Sequence, residues 1–321
     1  MGSKLSVVVP LYNEAEVIEE FCRRLELVLS GLDMQSEVIL VDDGSSDETW
    51  ALIEQVSLRY SNVRGVRLSR NFGHQRALMA GLGAATGDAI AMMDGDLQHP
   101  PELIPRLVAS WQEGYHIVNT IRTNTPDVGF LKKNLTATFY SLINRISEVP
   151  ITPNAADFRL VDRTVVEELK KLREHTVFLR GLMNWVGFSQ TSVEFEADRR
   201  FGGQTKYSLA RMFRLALAAI VSFSTHPLRL AVYSGAFIFS LSWLYGLWAI
   251  YAKFVAHLVV PGWTSIVWLI MLAASIQLFV LGVIAEYIAQ IYEETKGRPL
   301  FIIQQNVGFP LRTSESETPA A

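Results

Sequence analysis

Three short apolar runs in the first hundred residues each end in an acidic, turn-forming cluster, and this repeated pattern constrains the fold more than any other feature. Leu5–Val9 runs into Pro10-Leu11-Tyr12-Asn13-Glu14, and Glu37–Val41 runs into Asp42-Asp43-Gly44-Ser45-Ser46-Asp47. Ala89–Met93 runs into Asp94-Gly95-Asp96-Leu97-Gln98-His99-Pro100-Pro101-Glu102. A helical pattern follows each cluster. Strands that alternate with helices imply a Rossmann-like α/β domain with a mostly parallel sheet. Ligands of such open sheets bind outside the carboxyl ends of the strands, so the three clusters are expected to meet at one edge.

The third cluster carries the most specific chemistry. Alternate side chains of an extended chain point the same way, so Asp94 and Asp96 are expected to converge. Hard oxygen ligands of this type suit Mg²⁺ or Mn²⁺ held jointly with substrate phosphates, which points to a nucleotide diphosphate. In the first cluster, Tyr12 can flank a base, and Glu14 can meet a ribose or cap the following helix. Gly44 permits a tight turn in the second cluster, where Ser45 or Ser46 is expected to cap the next helix. Pro101 suits the first turn of the helix that follows the third cluster.

Half of the residues are hydrophobic, but they are unevenly spread. Leu230–Ala252 contains no charged residue, and Phe254–Ala285 contains no Asp, Glu, Lys or Arg. Either run is long enough to cross a hydrocarbon core of about 30 Å as a helix. Pro261-Gly262 breaks the second run, which predicts a turn near 255–263 and a second span over Thr264–Tyr287. Lys206, Arg211, Arg214 and Arg229 precede the first span, Lys296 and Arg298 follow the second, and the turn offers only Lys253. The positive-inside rule then places both flanks, both termini and the α/β domain in the cytoplasm, in a two-span inner or plasma membrane protein. Trp243, Trp248, Trp263 and Trp268 are candidate interface anchors. Lys206–Thr225 places apolar residues on a helical period with Arg211 and Arg214 interleaved, as in a helix lying in the membrane interface.

The expected divisions are an α/β domain over 1–205, an interfacial helix over 206–227, a transmembrane hairpin over 228–290 and a tail over 291–321, polar from Arg312. No cleavable leader is expected, because the first strand starts almost at once. The lone Cys22 excludes an internal disulfide and fits a reducing compartment. Asn134-Leu135-Thr136 is a glycosylation sequon by pattern only. A net charge of −3 gives no support for nucleic-acid binding.

The three clusters, in this order and spacing, resemble the family 2 glycosyltransferases of GT-A fold. More narrowly, the chain is similar to the polyprenyl-phosphate glycosyltransferases, including dolichol-phosphate mannose synthase. The segments Asn154-Ala155-Ala156-Asp157-Phe158-Arg159-Leu160 and Phe201-Gly202-Gly203-Gln204-Thr205-Lys206-Tyr207 bring it nearest to the bacterial glucosyl-type members. The resemblance implies transfer of a hexose from a nucleotide-diphosphate sugar to a polyprenyl phosphate with inversion at the sugar. UDP-glucose is the first expectation, with a UDP-aminosugar or GDP-mannose as alternatives. Undecaprenyl phosphate is the expected acceptor in a bacterium, and a homo-oligomer, a tetramer in relatives, is implied.

Carried over position by position, the resemblance puts Pro10, Tyr12, Glu14, Asp43, Asp94, Gly95, Arg200 and Lys206 around the nucleotide sugar. It gives Asp96 and Gln98 to the metal, and Asp96, Asp157 and Arg122 to catalysis. Gly95 stands where many relatives carry alanine, a change expected to be harmless. A phosphate monoester has a second pKa near 6 and is largely dianionic at neutral pH, so it is already a nucleophile. We therefore expect Asp157 to orient a cation or the sugar and to act as a base only secondarily. The dianion needs cations, which Arg122 and Lys132 supply with help from Thr136. Arg70-Asn71-Phe72-Gly73-His74 also resembles a segment near the nucleotide; His74 reads as a hydrogen-bonded structural histidine. A processive polysaccharide synthase is the rival enzyme, and the chain lacks the Gln-x-x-Arg-Trp motif expected of one. A non-catalytic membrane scaffold on a relic domain is the rival of another class.

Overall fold

The computed structural model describes residues 2–123, 155–172, 174, 178–195 and 262–309, with scattered positions between 233 and 255. The chain divides into two compact units, one comprising 1–140, 150–206 and 299–321 and the other 141–149 and 207–298.

The first unit is built on an eight-stranded sheet of order β7-β5-β6-β4-β1-β2-β3-β8. Its core is the parallel set β4-β1-β2-β3, formed by Ala89–Met92, Lys4–Leu11, Gln35–Asp42 and Val63–Leu68. Strands of a parallel sheet are covered on both faces and so read as continuous apolar runs; β1 is buried from Leu5 through Leu11. Helix α1 (Ile18–Leu29) lays Ile18, Phe21, Cys22, Leu25 and Leu29 on the core, an amphipathic spacing. Helix α3 (His74–Ala84) packs close to the sheet because residue 81 is glycine. A Cβ there would lie 2.3 Å from Val8 Cγ1.

The sheet is mixed rather than simply parallel. β6 (Ala155–Asp162) runs antiparallel to both β4 and β5 (Ile117–Arg122), while β7 (Gln190–Phe195) is parallel to β5. This reversal positions the site. β6 pairs Arg159 with Met92, the last residue of β4. Continuing that register by two residues brings Asp157 opposite Asp94. The expected alternation of Asp94 and Asp96 along a strand does not hold, because β4 stops at Met92 and the pair lies in a bend where Leu97 has φ 61°.

The opposite edge closes with β8 (Ile303–Val307), which pairs antiparallel with β3 and has no counterpart in the sequence reading. Gly65 leaves room for it, since a Cβ there would sit 2.7 Å from Val307 Cγ1. Below the sheet, buried Glu37 accepts hydrogen bonds from Lys4 Nζ at 2.8 Å, Ser6 Oγ at 2.5 Å and Thr86 N at 2.6 Å. Burial alone would push its carboxyl up, but these donors hold it at about 2.

In the second unit, one helix spans Trp263–Thr295, eight residues beyond the expected end at Tyr287. At 1.5 Å per residue it is about 50 Å long, more than a bilayer core needs. Leu269–Thr295 is long and apolar enough to cross a membrane. Its polar end is tied by an ion pair between Lys296 Nζ and Glu293 Oε1. The expected interfacial helix lies outside the described residues, and so does most of the first span. At scattered positions within that span, Trp243 and Trp248 are exposed.

Candidate active site

The carboxyl ends of β1 and β2 are knitted together by hydrogen bonds in which backbone amides are the main donors. Asn13, in the left-handed region at φ 54°, donates its N–H to Ser45 Oγ at 3.0 Å. Asn13 Oδ1 accepts from Ser46 N at 2.9 Å. The serines therefore join two loops and do not cap the helix that follows, contrary to the sequence reading. That helix, α2 (Thr49–Arg59), takes its first-turn acceptor from Asp47, whose Oδ1 accepts from Thr49 N at 3.0 Å. Asp47 Oδ2 reaches Ala15 N at 3.4 Å, and Thr49 Oγ1 accepts from Glu14 N.

Asp42 and Asp43 anchor a third segment to this knot. Asp43 is buried, and its two oxygens accept from Phe72 N at 2.7 Å and Gly73 N at 2.9 Å. Burial pushes its carboxyl above the ordinary value despite those two amides. Gly44, at φ 67°, is required on two grounds, since a Cβ would also lie 2.4 Å from the Arg70 carbonyl carbon. Asp42 accepts from Ser45 N at 2.9 Å and lies 3.3 Å from Arg67 Nε, an ion pair without hydrogen-bond geometry. Tyr12, half-exposed, stands beside these loops.

Two arginines, two aspartates and a histidine meet where β4 ends and β6 begins. Arg180 Nε donates to Asp157 Oδ1 at 2.7 Å, and Arg159 Nη2 donates to the same oxygen at 3.5 Å. Burial would raise the Asp157 carboxyl, but Arg180 and then Arg159 overcome it and hold it at about 2. Arg159 is buried beside Met183, and desolvation brings its guanidinium down to about 10. His74 Nε2 lies 3.5 Å from Asp94 Oδ1 and 3.7 Å from Asp157 Oδ2. His99 supports Asp94 from beneath. Its Nδ1 accepts the Asp94 N–H at 3.0 Å, its ring stacks on Phe158 at 5.3 Å, and burial lowers its pKa.

Asp96 Oδ1 accepts from Gln98 N at 3.1 Å, and Gln98 Oε1 accepts from Arg122 Nη2 at 3.4 Å. A carboxylate and an amide oxygen make a hard donor set. Among the described residues, no three His, Cys, Asp or Glu side chains stand ready to cage a cation. Hard oxygen donors of this kind suit an ion such as Mg²⁺, which commonly completes its shell with substrate phosphate and water. Gly95 is tighter than expected: a Cβ would lie 2.4 Å from Leu11 Cδ2, so alanine requires that buried leucine to move.

The structure thus brings Asp94 together with Asp157, and Asp96 and Gln98 together with Arg122. It places Pro10 in β1 and Tyr12, Glu14 and Asp43 on the loops that follow β1 and β2. Lys132, Thr136, Arg200 and Lys206 lie outside the described residues. Two contributors escaped the sequence reading. Arg180 carries no local motif, and its only signal is that a largely enclosed Asp157 demands a cation. His74, expected as a hydrogen-bonded structural histidine, stands half-exposed between two carboxylates.

Residues 6–170 match the model of glycosyl transferase family 2, and residues 226–291 match that of the GtrB C-terminal hairpin. The uncharacterized glycosyltransferase YkcC of Bacillus subtilis (strain 168) is 42% identical over 303 residues, which cover 94% of each chain. The bactoprenol glucosyl transferase of Shigella phage SfX is 40% identical over 301 residues, covering 94% of this chain and 99% of that one. Among solved structures, the mannosyltransferase PcManGT from Pyrobaculum calidifontis in complex with GDP-Man and Mn²⁺ is 17% identical. That match covers 93% of this chain and 89% of the other, with a TM-score of 0.49. On the family match and on identities of this size over nearly the whole chain, the protein is a glycosyltransferase and belongs to glycosyl transferase family 2.

Proposed function

We propose that the protein transfers glucose from UDP-glucose to undecaprenyl (bactoprenol) phosphate and inverts the anomeric centre, so that an α-linked donor gives a β-linked lipid phosphate sugar. The observation that carries this reading is the meeting of Asp94 and Asp157 at the carboxyl edge of the sheet, in a chain 40% identical to a bactoprenol glucosyl transferase. Pro10, Tyr12, Glu14, Asp43, Asp94 and Gly95 hold the nucleotide. Asp157 orients the hexose. Arg122 receives the acceptor phosphate with Lys132 and Thr136, while Arg200 and Lys206 close on the diphosphate.

Asp96 and Gln98 would hold Mg²⁺ or Mn²⁺, which supplies positive charge for the departing nucleoside diphosphate. The acceptor oxygen attacks without giving up a proton, because the monoester is already largely a dianion. Asp157, held at about 2, is ionised throughout the working range and too weak a base to be useful. Its ionised oxygens instead accept hydrogen bonds from sugar hydroxyls. The C-terminal hairpin is a two-span membrane anchor with both flanks in the cytoplasm. It brings the lipid phosphate to the membrane surface, and assembly into a homo-oligomer runs through the spans.

The test is transfer of label from UDP- and GDP-sugars to undecaprenyl phosphate in detergent, with Mn²⁺ or with EDTA. The expected result is glucose-labelled lipid from UDP-glucose that disappears with EDTA. Labelling from GDP-mannose or a UDP-aminosugar alone would replace the donor. Loss of all nucleotide binding would return the chain to a scaffold.

A further inference from the structure

His74 and His99 occupy the same site but are built differently. His99 is buried and held by a 3.0 Å hydrogen bond and a ring stack, as a structural histidine should be. His74 is 39% exposed, and its Nε2 approaches Asp94 at 3.5 Å and Asp157 at 3.7 Å. Neither distance is that of a good hydrogen bond to nitrogen. Among the described residues, the imidazole stands between these two carboxylates without a close hydrogen bond to either, which leaves a ring N–H able to turn to a third partner.

The backbone that carries it is fixed on both sides. Asp43 takes the N–H groups of Phe72 and Gly73 immediately before it. Gln75, immediately after it, accepts the Leu179 N–H at 3.2 Å, next to Arg180. Two clamps around one half-exposed side chain place the ring where the nucleotide loops give way to the pocket at Asp157. A nucleotide sugar running from those loops to Asp157 must pass this ring.

Resting on the nucleotide-sugar reading above, we propose that His74 contacts the hexose of the donor and is a specificity-determining residue of the transfer. Its ring N–H donates to a sugar oxygen, while Asp157 accepts from a hydroxyl on the same sugar. The nucleotide itself is held elsewhere, so the two halves of the donor should respond differently to substitution.

The experiment is calorimetric binding to the full-length protein in detergent with Mn²⁺, comparing UDP with UDP-glucose and GDP with GDP-mannose. Whichever pair the wild type binds is then measured with His74→Ala and His74→Gln. The expected result is UDP affinity within twofold of wild type in both variants. UDP-glucose should weaken about tenfold in His74→Ala, a difference of about 1.4 kcal/mol. His74→Gln should recover part of that loss because its amide N–H can reach the same oxygen, and the retained UDP affinity shows that both variants are folded. Equal weakening of UDP and UDP-glucose would make His74 a structural residue and overturn the proposal, as would no change in either. A wild type that binds GDP-mannose but not UDP-glucose overturns the glucose donor alone, and His74 is then judged on that pair. A wild type that binds no nucleotide overturns both.

Discussion

The nucleotide loops and the transfer pocket adjoin one another at the carboxyl edge of one sheet, but they are held by different forces. The loops after β1 and β2 are joined mainly by backbone N–H groups bonded to Asn13, Asp42, Asp43, Ser45 and Asp47. The pocket is held by side-chain charge, with Asp157 gripped by Arg180 and Arg159 and approached by His74. Amide bonds shared among several short loops fix shape at little cost when any one is lost. A buried charge cluster fixes one carboxylate firmly, but its members depend on each other. On the function proposed above, the region that would present a preformed surface to a nucleotide is thus distributed in its bonding, and the region that would hold one oxygen against a sugar is concentrated.

If that contrast is right, the largest loss comes from removing the hub of the pocket. Asp157→Ala leaves two guanidinium groups, one of them fully buried, without their shared anion. Breaking a buried pair in this way costs about 3–5 kcal/mol, which should appear as a large drop in the thermal unfolding temperature in detergent. Asp157→Asn, with its shape kept, should unfold closer to wild type while transfer still collapses. A stable Asp157→Ala protein would break the comparison.

Next is Arg180, which touches no substrate in this reading and acts by aiming Asp157. A misplacement on the order of 1 Å can cost about 10²-fold in rate, so Arg180→Ala should lower kcat by about that factor. Arg180→Lys should recover part of it, because the lysine keeps the charge but loses the directed Nε contact. A rise in the KM for UDP-glucose with kcat unchanged would mean that Arg180 binds substrate directly.

The acid limb sharpens the contrast further. The Asp157 carboxyl sits at about 2 in the folded chain against 3.8 ordinarily. A depressed carboxylate stabilises the fold above its ordinary pKa and loses that contribution as pH falls toward the folded value. We expect about 2 kcal/mol to disappear between about pH 4 and 2. Asp157→Asn should flatten that part of the stability curve, read as unfolding temperature against pH. Asp43, pushed upward by burial, should not steepen it.

The same difference in bonding explains what could be read from the sequence. The parallel strands β1, β2 and β4 announce themselves as apolar runs ending in acidic turns, because a strand buried on both faces has no alternative pattern. The pocket depends on β6 reversing direction beside β4, and nothing local to Ala155–Asp162 dictates which neighbour it takes. Asp157 was legible through its motif, whereas Arg180 lies in the short helix Leu179–Trp185 with no pattern to single it out. Likewise β8 is five exposed or half-exposed residues whose fit is written in its partner's glycine, Gly65, rather than in itself. Ser45 and Ser46 fit a capping reading from composition. Only the third dimension shows Asn13 close enough to draw them away and leave the first turn of α2 to Asp47.

That substitution of roles gives the smallest and most discriminating prediction. Asp47 serves both loops, with Oδ1 on Thr49 N and Oδ2 on Ala15 N. Burial would raise its carboxyl, but Thr49 and Ala15 as donors together hold it below the ordinary value. Losing a helix-start acceptor of this type costs about 1 kcal/mol, so Asp47→Ala should lower the unfolding temperature by only a few degrees. Ser45→Ala and Ser46→Ala should leave the start of α2 intact, because neither serine bonds to it. The distributed loops should absorb each change, with UDP affinity falling less than tenfold. A loss from Asp47→Ala as large as that from Asp157→Ala would show that the nucleotide loops also hang on a single residue, and the distinction between the two regions would fail.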